Sequence, residues 1–153
     1  MAIQISISNA IGSRYRGSVV PPIDPDAQAF ITAASITDPT QQSAINQLVV
    51  DLKGYNIWTK FKAIYPIVGG TAATHKWNLK DPRDLDAAFR LTFATGWTHS
   101  STGMTPSVSY ADTFFNPNTS ASLNSHSLSY YSRTNATNAA IEIGVGNNDT
   151  GIY

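Results

Sequence analysis

The chain has 153 residues, ten lysines and arginines against ten aspartates and glutamates, and no cysteine. That length suits one ordinary domain with short appended segments. The charge balance excludes a broad phosphate-tracking surface, and the missing thiol excludes disulfides, thiolate metal sites and cysteine nucleophiles.

Residues 1–24 read as an arm. Ile3, Ile5 and Ile7 alternate with Gln4, Ser6 and Ser8, the period of a strand with one apolar face. A turn-like break at Asn9–Gly12 leads to Arg14 and Arg16, the only basic residues before Lys53. Val19-Val20-Pro21-Pro22 must run extended, because proline fixes φ and restricts the residue before it. That stretch cannot serve as the apolar core of a secretory leader, and no apolar run reaches membrane-spanning length. An amphipathic strand ahead of a stiff linker can add to an edge of its own sheet or augment a neighbouring subunit. Ile3, Ile5, Ile7, Arg14 and Arg16 are the candidate assembly contacts.

Residues 25–66 read as a helical segment. Asp24-Pro25 supplies an N-cap and a proline at the first helical position, followed by Ala27, Phe30, Ile31 and Ala34 on one face. Asp38-Pro39-Thr40-Gln41 repeats the device with the residues of a capping box. Ile45, Leu48, Val49 and Leu52 fall on one stripe, and Gly54 stands where a left-handed C-terminal residue belongs. A third short helix is expected from Ile57, Trp58, Phe61 and Ile64-Tyr65, stopped by Pro66. The helices are expected to form a collar against a β part.

Residues 67–153 read as that β module. Strands are expected at Lys76–Leu79, Ala88–Phe93, Val108–Ala111, Ser127–Ser132 and Ala140–Val145, with one capped helical turn at Asp81-Pro82-Arg83-Asp84. Asn116-Pro117-Asn118, Arg133–Asn138 and Gly146-Asn147-Asn148-Asp149 carry turn chemistry between them. The expected class is α+β: an N-terminal strand arm, a short helical segment, then an antiparallel β-sandwich or jelly-roll-like module. Thr150-Gly151-Ile152-Tyr153 begins a further strand, so the module is expected to continue beyond Tyr153 or to borrow strands from a partner.

The chemistry-bearing residues do not assemble into a familiar reactive pattern. His75, His99 and His126 lack the i, i+2 or i, i+4 spacing of metal ligands, so each is expected to cap a turn or lie on the surface. His99, Ser100 and Asp112 could make a triad on paper, but the Gly-x-Ser-x-Gly elbow is missing. Asp84 and Asp86 are better suited to pairing with Arg83 and Arg90 than to glycoside hydrolysis, and Glu142 is the one glutamate. Gly69-Gly70-Thr71 lacks the Lys-Ser/Thr of a phosphate loop. No catalytic, cofactor-binding or metal-ligating residue is therefore named, and the chain is read as a non-enzyme. Trp77, Trp97, Tyr110, Tyr130 and Tyr131 suit strand packing first and sugar stacking second. Trp97, Tyr110 and Asp112 are the candidate glycan contacts of that alternative.

Several segments carry a resemblance. They are Ile36-Thr37-Asp38-Pro39 with Ala44-Ile45-Asn46, Leu52-Lys53 through Trp58-Thr59-Lys60, Ala63-Ile64-Tyr65-Pro66, His75 to Phe93, and Ser129-Tyr130-Tyr131-Ser132-Arg133-Thr134-Asn135. Asn78-Leu79-Lys80-Asp81-Pro82-Arg83-Asp84-Leu85-Asp86 is the most specific. Over roughly residues 25–145 the chain resembles virion structural proteins of tailed bacteriophages, especially those of Bacteroidetes-type hosts. The resemblance implies a helical segment preceding a lectin-like β-sandwich of concanavalin A or laminin-G type. It also implies a fibre, head-decoration or tail-associated component, and a location in the virion. Expected partners are capsid or tail proteins and copies of the chain itself, a trimer being favoured, with host-surface glycan as the alternative ligand. No cofactor, nucleic acid or membrane is an expected partner. Release at lysis would replace leader-directed export.

Overall fold

A computed structural model of the chain describes residues 22–122, 124–133, 143–145 and 150–152. Ile3, Ile5, Ile7, Arg14 and Arg16 lie outside the described residues. The architecture is α+β, helices first and small antiparallel sheets after.

Helices α1 (Pro25–Ala33) and α2 (Pro39–Gly54) start where the Asp-Pro pairs place them. The Asp24 carboxylate accepts from the Asp26 N–H and the Asp38 carboxylate from the Gln41 N–H, both at 2.9 Å. The second half of the expected capping box is absent. Gln41 Oε1 instead accepts from the Gly69 N–H at 3.0 Å, tying α2 to a distant loop.

Both helices end in the same way, and α2 does so two residues beyond its glycine signal. Ser35 (φ 53°) and Asn56 (φ 58°) take the left-handed position, and Gly54 remains helical. Ile36 N–H donates to Ile31 O at 3.0 Å and Ser35 N–H to Thr32 O at 3.2 Å; Ile57 N–H donates to Leu52 O and Asn56 N–H to Lys53 O, both at 3.0 Å. These are paired Schellman closures, each with an apolar residue just beyond the turn.

The expected collar is instead a core in its own right. Ala27, Phe30, Ile31, Ala34 and Ile36 bury against Ile45, Val49, Trp58 and Leu79. Burial of a side chain such as Phe30 contributes about 1.5–3 kcal/mol relative to leaving it exposed. Lys53 Nζ reaches across to Asp24 and Asp26, both at 2.6 Å, and Asp24 N–H donates to Asn46 Oδ1 at 2.7 Å. These bonds clamp the start of α1 to α2.

The third helix shrinks to one 3-10 turn, Trp58–Lys60. Beyond Phe61 the chain extends because its backbone groups are taken elsewhere: Ile64 N–H by Asn78 Oδ1, Ile64 O by Leu79 N–H, and Lys62 O by the Asn78 amide. A one-turn helix α3 (Ala72–His75) follows, closed by a Thr71–Thr74 capping box.

No strand forms at 76–79. Trp77 Nε1 folds back onto Ala73 O at 2.8 Å, and the Asn78 side chain makes the bonds a ladder would otherwise make. The helical turn expected at 81–84 is likewise replaced, by a 3-10 turn at Asp86–Ala88, since Asp81 grips Arg83 rather than capping a helix.

The strands are β1 (Thr92–Phe93), β2 (Trp97–Ser100), β3 (Gly103–Pro106), β4 (Ala111–Asp112), β5 (Ile143–Val145) and β6 (Thr150–Ile152), with a capped helical turn α4 (Pro117–Ser120) after β4. One antiparallel sheet runs β1-β4-β6-β5, with Thr92 opposite Asp112 and Gly144 opposite Gly151. Thus the strand begun at Thr150 lies inside a sheet, between β4 and β5. β2 and β3 form a separate hairpin, Trp97 opposite Pro106 and His99 opposite Met104.

The strand expected at 88–93 is cut to two residues because Phe89 is left-handed (φ 59°) and Ala88 O is bound by Asn78. Left-handed Val108 (φ 50°) likewise displaces the 108–111 strand to Ala111–Asp112. Residues 127–132 are exposed and join no ladder among the described residues. The expected strand at 140–145 survives as β5, with residues 140–142 outside the described set.

Leu91 and Ala111 centre a second core with Tyr65, Ile67, Phe93, Trp97, Met104 and Ile143. Side chains from both sheets enter it.

Candidate functional site

The segment Lys76–Arg90 and the loop before it hold most of the buried polar chemistry. Asn78 is 1% exposed and makes four bonds. Its Oδ1 accepts from Ile64 N–H (2.9 Å) and Lys80 N–H (3.0 Å); its Nδ2 donates to Ala88 O (2.9 Å) and Lys62 O (3.3 Å). Amide donors and acceptors are thus all in use, and one side chain joins three stretches of backbone. Leu91 N–H to Lys76 O (2.8 Å) and the Tyr65 hydroxyl to Phe89 O complete the junction. Burial pushes the Tyr65 phenol well above its ordinary value, and the Asp112 charge adds to this.

The charges of this segment neutralise one another. Lys76 meets Asp84 at 2.6 Å, Arg83 Nε meets Asp81 at 2.6 Å, and Arg90 meets Asp86 at 2.7 Å and Asp84 at 3.4 Å. The Lys76 bond holds the Asp84 carboxyl below its usual range, and Arg83 does the same for Asp81. Lys80 lies 3.7 Å over the Trp58 ring, and burial draws its ammonium below the ordinary lysine range. An open hollow of about 210 Å³ lined by Lys53, Asn56, Trp58 and Thr59 sits beside it. The cation there is already bridged to Asp24 and Asp26.

His75 and His99 depart from the sequence expectation. His75 is 1% exposed, and its Nδ1 lies 2.9 Å from Nδ1 of His99, a contact across 24 residues. Gly70 N–H donates to His75 Nε2 at 3.1 Å. Burial, reinforced by His99, pulls His75 down to about 4; burial also lowers His99. Phe93 meets the His99 ring edge-on at 4.7 Å between centroids. His126 Nδ1 lies 3.1 Å from Ser122 O on the surface, as a turn-capping histidine should. No group of three potential metal-ligating side chains exists among the described residues.

Of the glycan candidates, Trp97 turns into the second core, packs on Phe93 and donates its indole N–H to Tyr110 O at 2.9 Å. Tyr110 is 47% exposed and Tyr131 84%. Asp112 Oδ1 accepts from Phe114 N–H at 2.7 Å, stabilising a left-handed Phe114. The fold therefore brings Trp97 and Tyr110 together through one carbonyl, with Asp112 on the following strand. Sequence reading missed the His75–His99 contact and the role of Asn78. For Asn78 a local signal existed: an amide between Trp77 and Leu79, both apolar, sits where a buried polar group must be fully bonded.

The chain matches no protein-family model, no curated protein and no solved structure.

Proposed function

We propose that this chain is a non-enzymatic structural component of a tailed-phage virion, a head- or tail-associated fibre or decoration protein. Residues 1–24 anchor it, and copies of it assemble with one another, a trimer being the favoured form. The observation that carries this reading is the bonding of the 76–90 segment. Its amide and its charges are directed at backbone and at one another, as suits a rigid corner in a load-bearing part. The resemblance over the same residues supports the same assignment. Entry of side chains from both small sheets into one apolar cluster supports a sandwich-type, lectin-like module.

The test is incorporation. An antibody to the protein should label density-purified particles from the producing host, and a version lacking residues 1–20 should fold but be missing from them. Particles that carry the truncated form at normal level refute the anchor, and particles that lack the full-length protein refute the virion assignment.

One observation favours a second reading, recognition of host-surface glycan: the exposed Tyr110 ring beside Trp97. Glycan-array binding lost on Tyr110→Ala would favour it. Polysaccharide cleavage abolished by Asp84→Ala or Asp112→Ala would instead point to a depolymerase.

A further inference from the structure

The buried His75 and the half-buried His99 admit one arrangement of protons. Gly70 N–H donates to His75 Nε2, so that nitrogen carries none. His75 is then protonated at Nδ1 and donates to Nδ1 of His99, which keeps its own proton on Nε2. A further proton has nowhere to go. On His99 Nδ1 it would face the His75 N–H, and on His75 Nε2 it would face the Gly70 N–H.

This contact sits at a seam. His75 ends α3, which continues the loop 66–71, and His99 lies on β2. Among the described residues the β2–β3 hairpin is a sheet of its own, without ladder bonds to the four-stranded sheet. Two-stranded hairpins are marginal without an anchor. Its turn rests on the loop so closely that a Cβ at Gly70 would meet Ser101 N at 3.0 Å and the Ser100 carbonyl carbon at 3.2 Å. The loop itself holds Ile67 at φ 51°, a conformation β-branched residues rarely adopt, followed by left-handed Gly69 and Gly70.

We propose that the His75–His99 pair is an acid-operated latch: uptake of one proton parts the β2–β3 hairpin from the loop and helical turn at residues 66–75 while the α1–α2 core stays folded. The charged and titratable groups of the surrounding elements are engaged with other partners. Lys76 is on Asp84 and Trp77, Arg90 on Asp84 and Asp86, and the Tyr65 hydroxyl on Phe89 O. Asp112 accepts from Phe114, and Arg133 donates to Thr102 O on the hairpin turn. Each ring is the other's titrating neighbour, so no carboxylate shares the added charge. Burial holds both rings below their ordinary value of 6.5, His75 down to about 4, so the latch is closed at neutrality and weakens progressively as the solution is acidified below 6.5.

The test combines imidazole NMR with amide hydrogen exchange on the whole chain, corrected for intrinsic rates. At pH 7 the rings should show His75 Nδ1–H and His99 Nε2–H tautomers. Between pH 7 and 4.5, protection of residues 97–106 should fall at least tenfold more than that of α1 and α2. In His99→Gln the amide oxygen still accepts from His75 but cannot titrate, and the hairpin should keep at least tenfold more protection at pH 4.5 than in the unaltered protein. Equal loss in both proteins, or loss over helices and hairpin together, overturns the latch. If His99→Gln does not fold at pH 7, the unaltered protein decides. The His99 nitrogen shifts and the exchange of 97–106 must share one midpoint, and separate midpoints overturn the proposal.

Discussion

Asn78 shows how much one residue can carry. Replacing it by alanine strands two N–H groups and two carbonyls in or beside a dry junction, where each unpaired group costs about 1–3 kcal/mol and some regain water. Asn78→Ala should therefore lower unfolding free energy by roughly 3 kcal/mol or more, read from urea melts. A loss below about 1 kcal/mol would mean that water replaces the amide without penalty. The two left-handed helix ends give a subtler contrast. Serine at φ 53° is strained by about 1–2 kcal/mol, whereas glycine is not, and the freer unfolded chain takes back about 0.4–1 kcal/mol. Ser35→Gly should thus raise stability by about 0.5 kcal/mol. Asn56 tolerates the same region, so Asn56→Gly should be near neutral.

At the scale of elements, what could be read from the sequence was what is decided locally. The Asp-Pro starts of α1 and α2 are legible because cap, proline and apolar stripe lie within one turn of each other. Their ends were less so, since Ser35 and Asn56 do what glycine usually does. The strands at 76–79 and 88–93 were misread because their alternation is real but their hydrogen bonds go to a side chain, Asn78, which no periodicity reveals. The histidine pair was illegible for a different reason: its partners meet only once the loop 66–71 and the hairpin have docked. Two glycines separate local from docked effects. Gly54 lies in α2 with open space around a would-be Cβ, so Gly54→Ala should stabilise by about 0.5–1 kcal/mol. Gly70, at φ 84° and seated against Ser100 and Ser101, should lose at least about 1 kcal/mol as alanine, with the loss concentrated in hairpin exchange. Equal responses at both positions would show that the hairpin does not bear on the loop.

For the whole molecule, the titrating groups set a direction with pH. Unfolded His75 and His99 take up protons near 6.5, while the folded rings resist, His75 down to about 4. Below 6.5 the unfolded chain therefore binds more protons, and stability must fall as the solution is acidified. The slope is at most about 1.4 kcal/mol per pH unit for each histidine that stays neutral. Asp81 and Asp84 act lower down. Their carboxyls are held below the ordinary 3.8, so their contribution is present above that value and disappears only in stronger acid. Urea midpoints should be level from pH 8 to about 7, decline from about 6.5 to 4, and fall again below. His99→Gln should flatten part of the first decline and leave the second unchanged. A flat profile between pH 7 and 5 would mean that the pair accepts protons without cost, and the hairpin would then have to be held on the 66–75 segment by contacts other than the histidine bond.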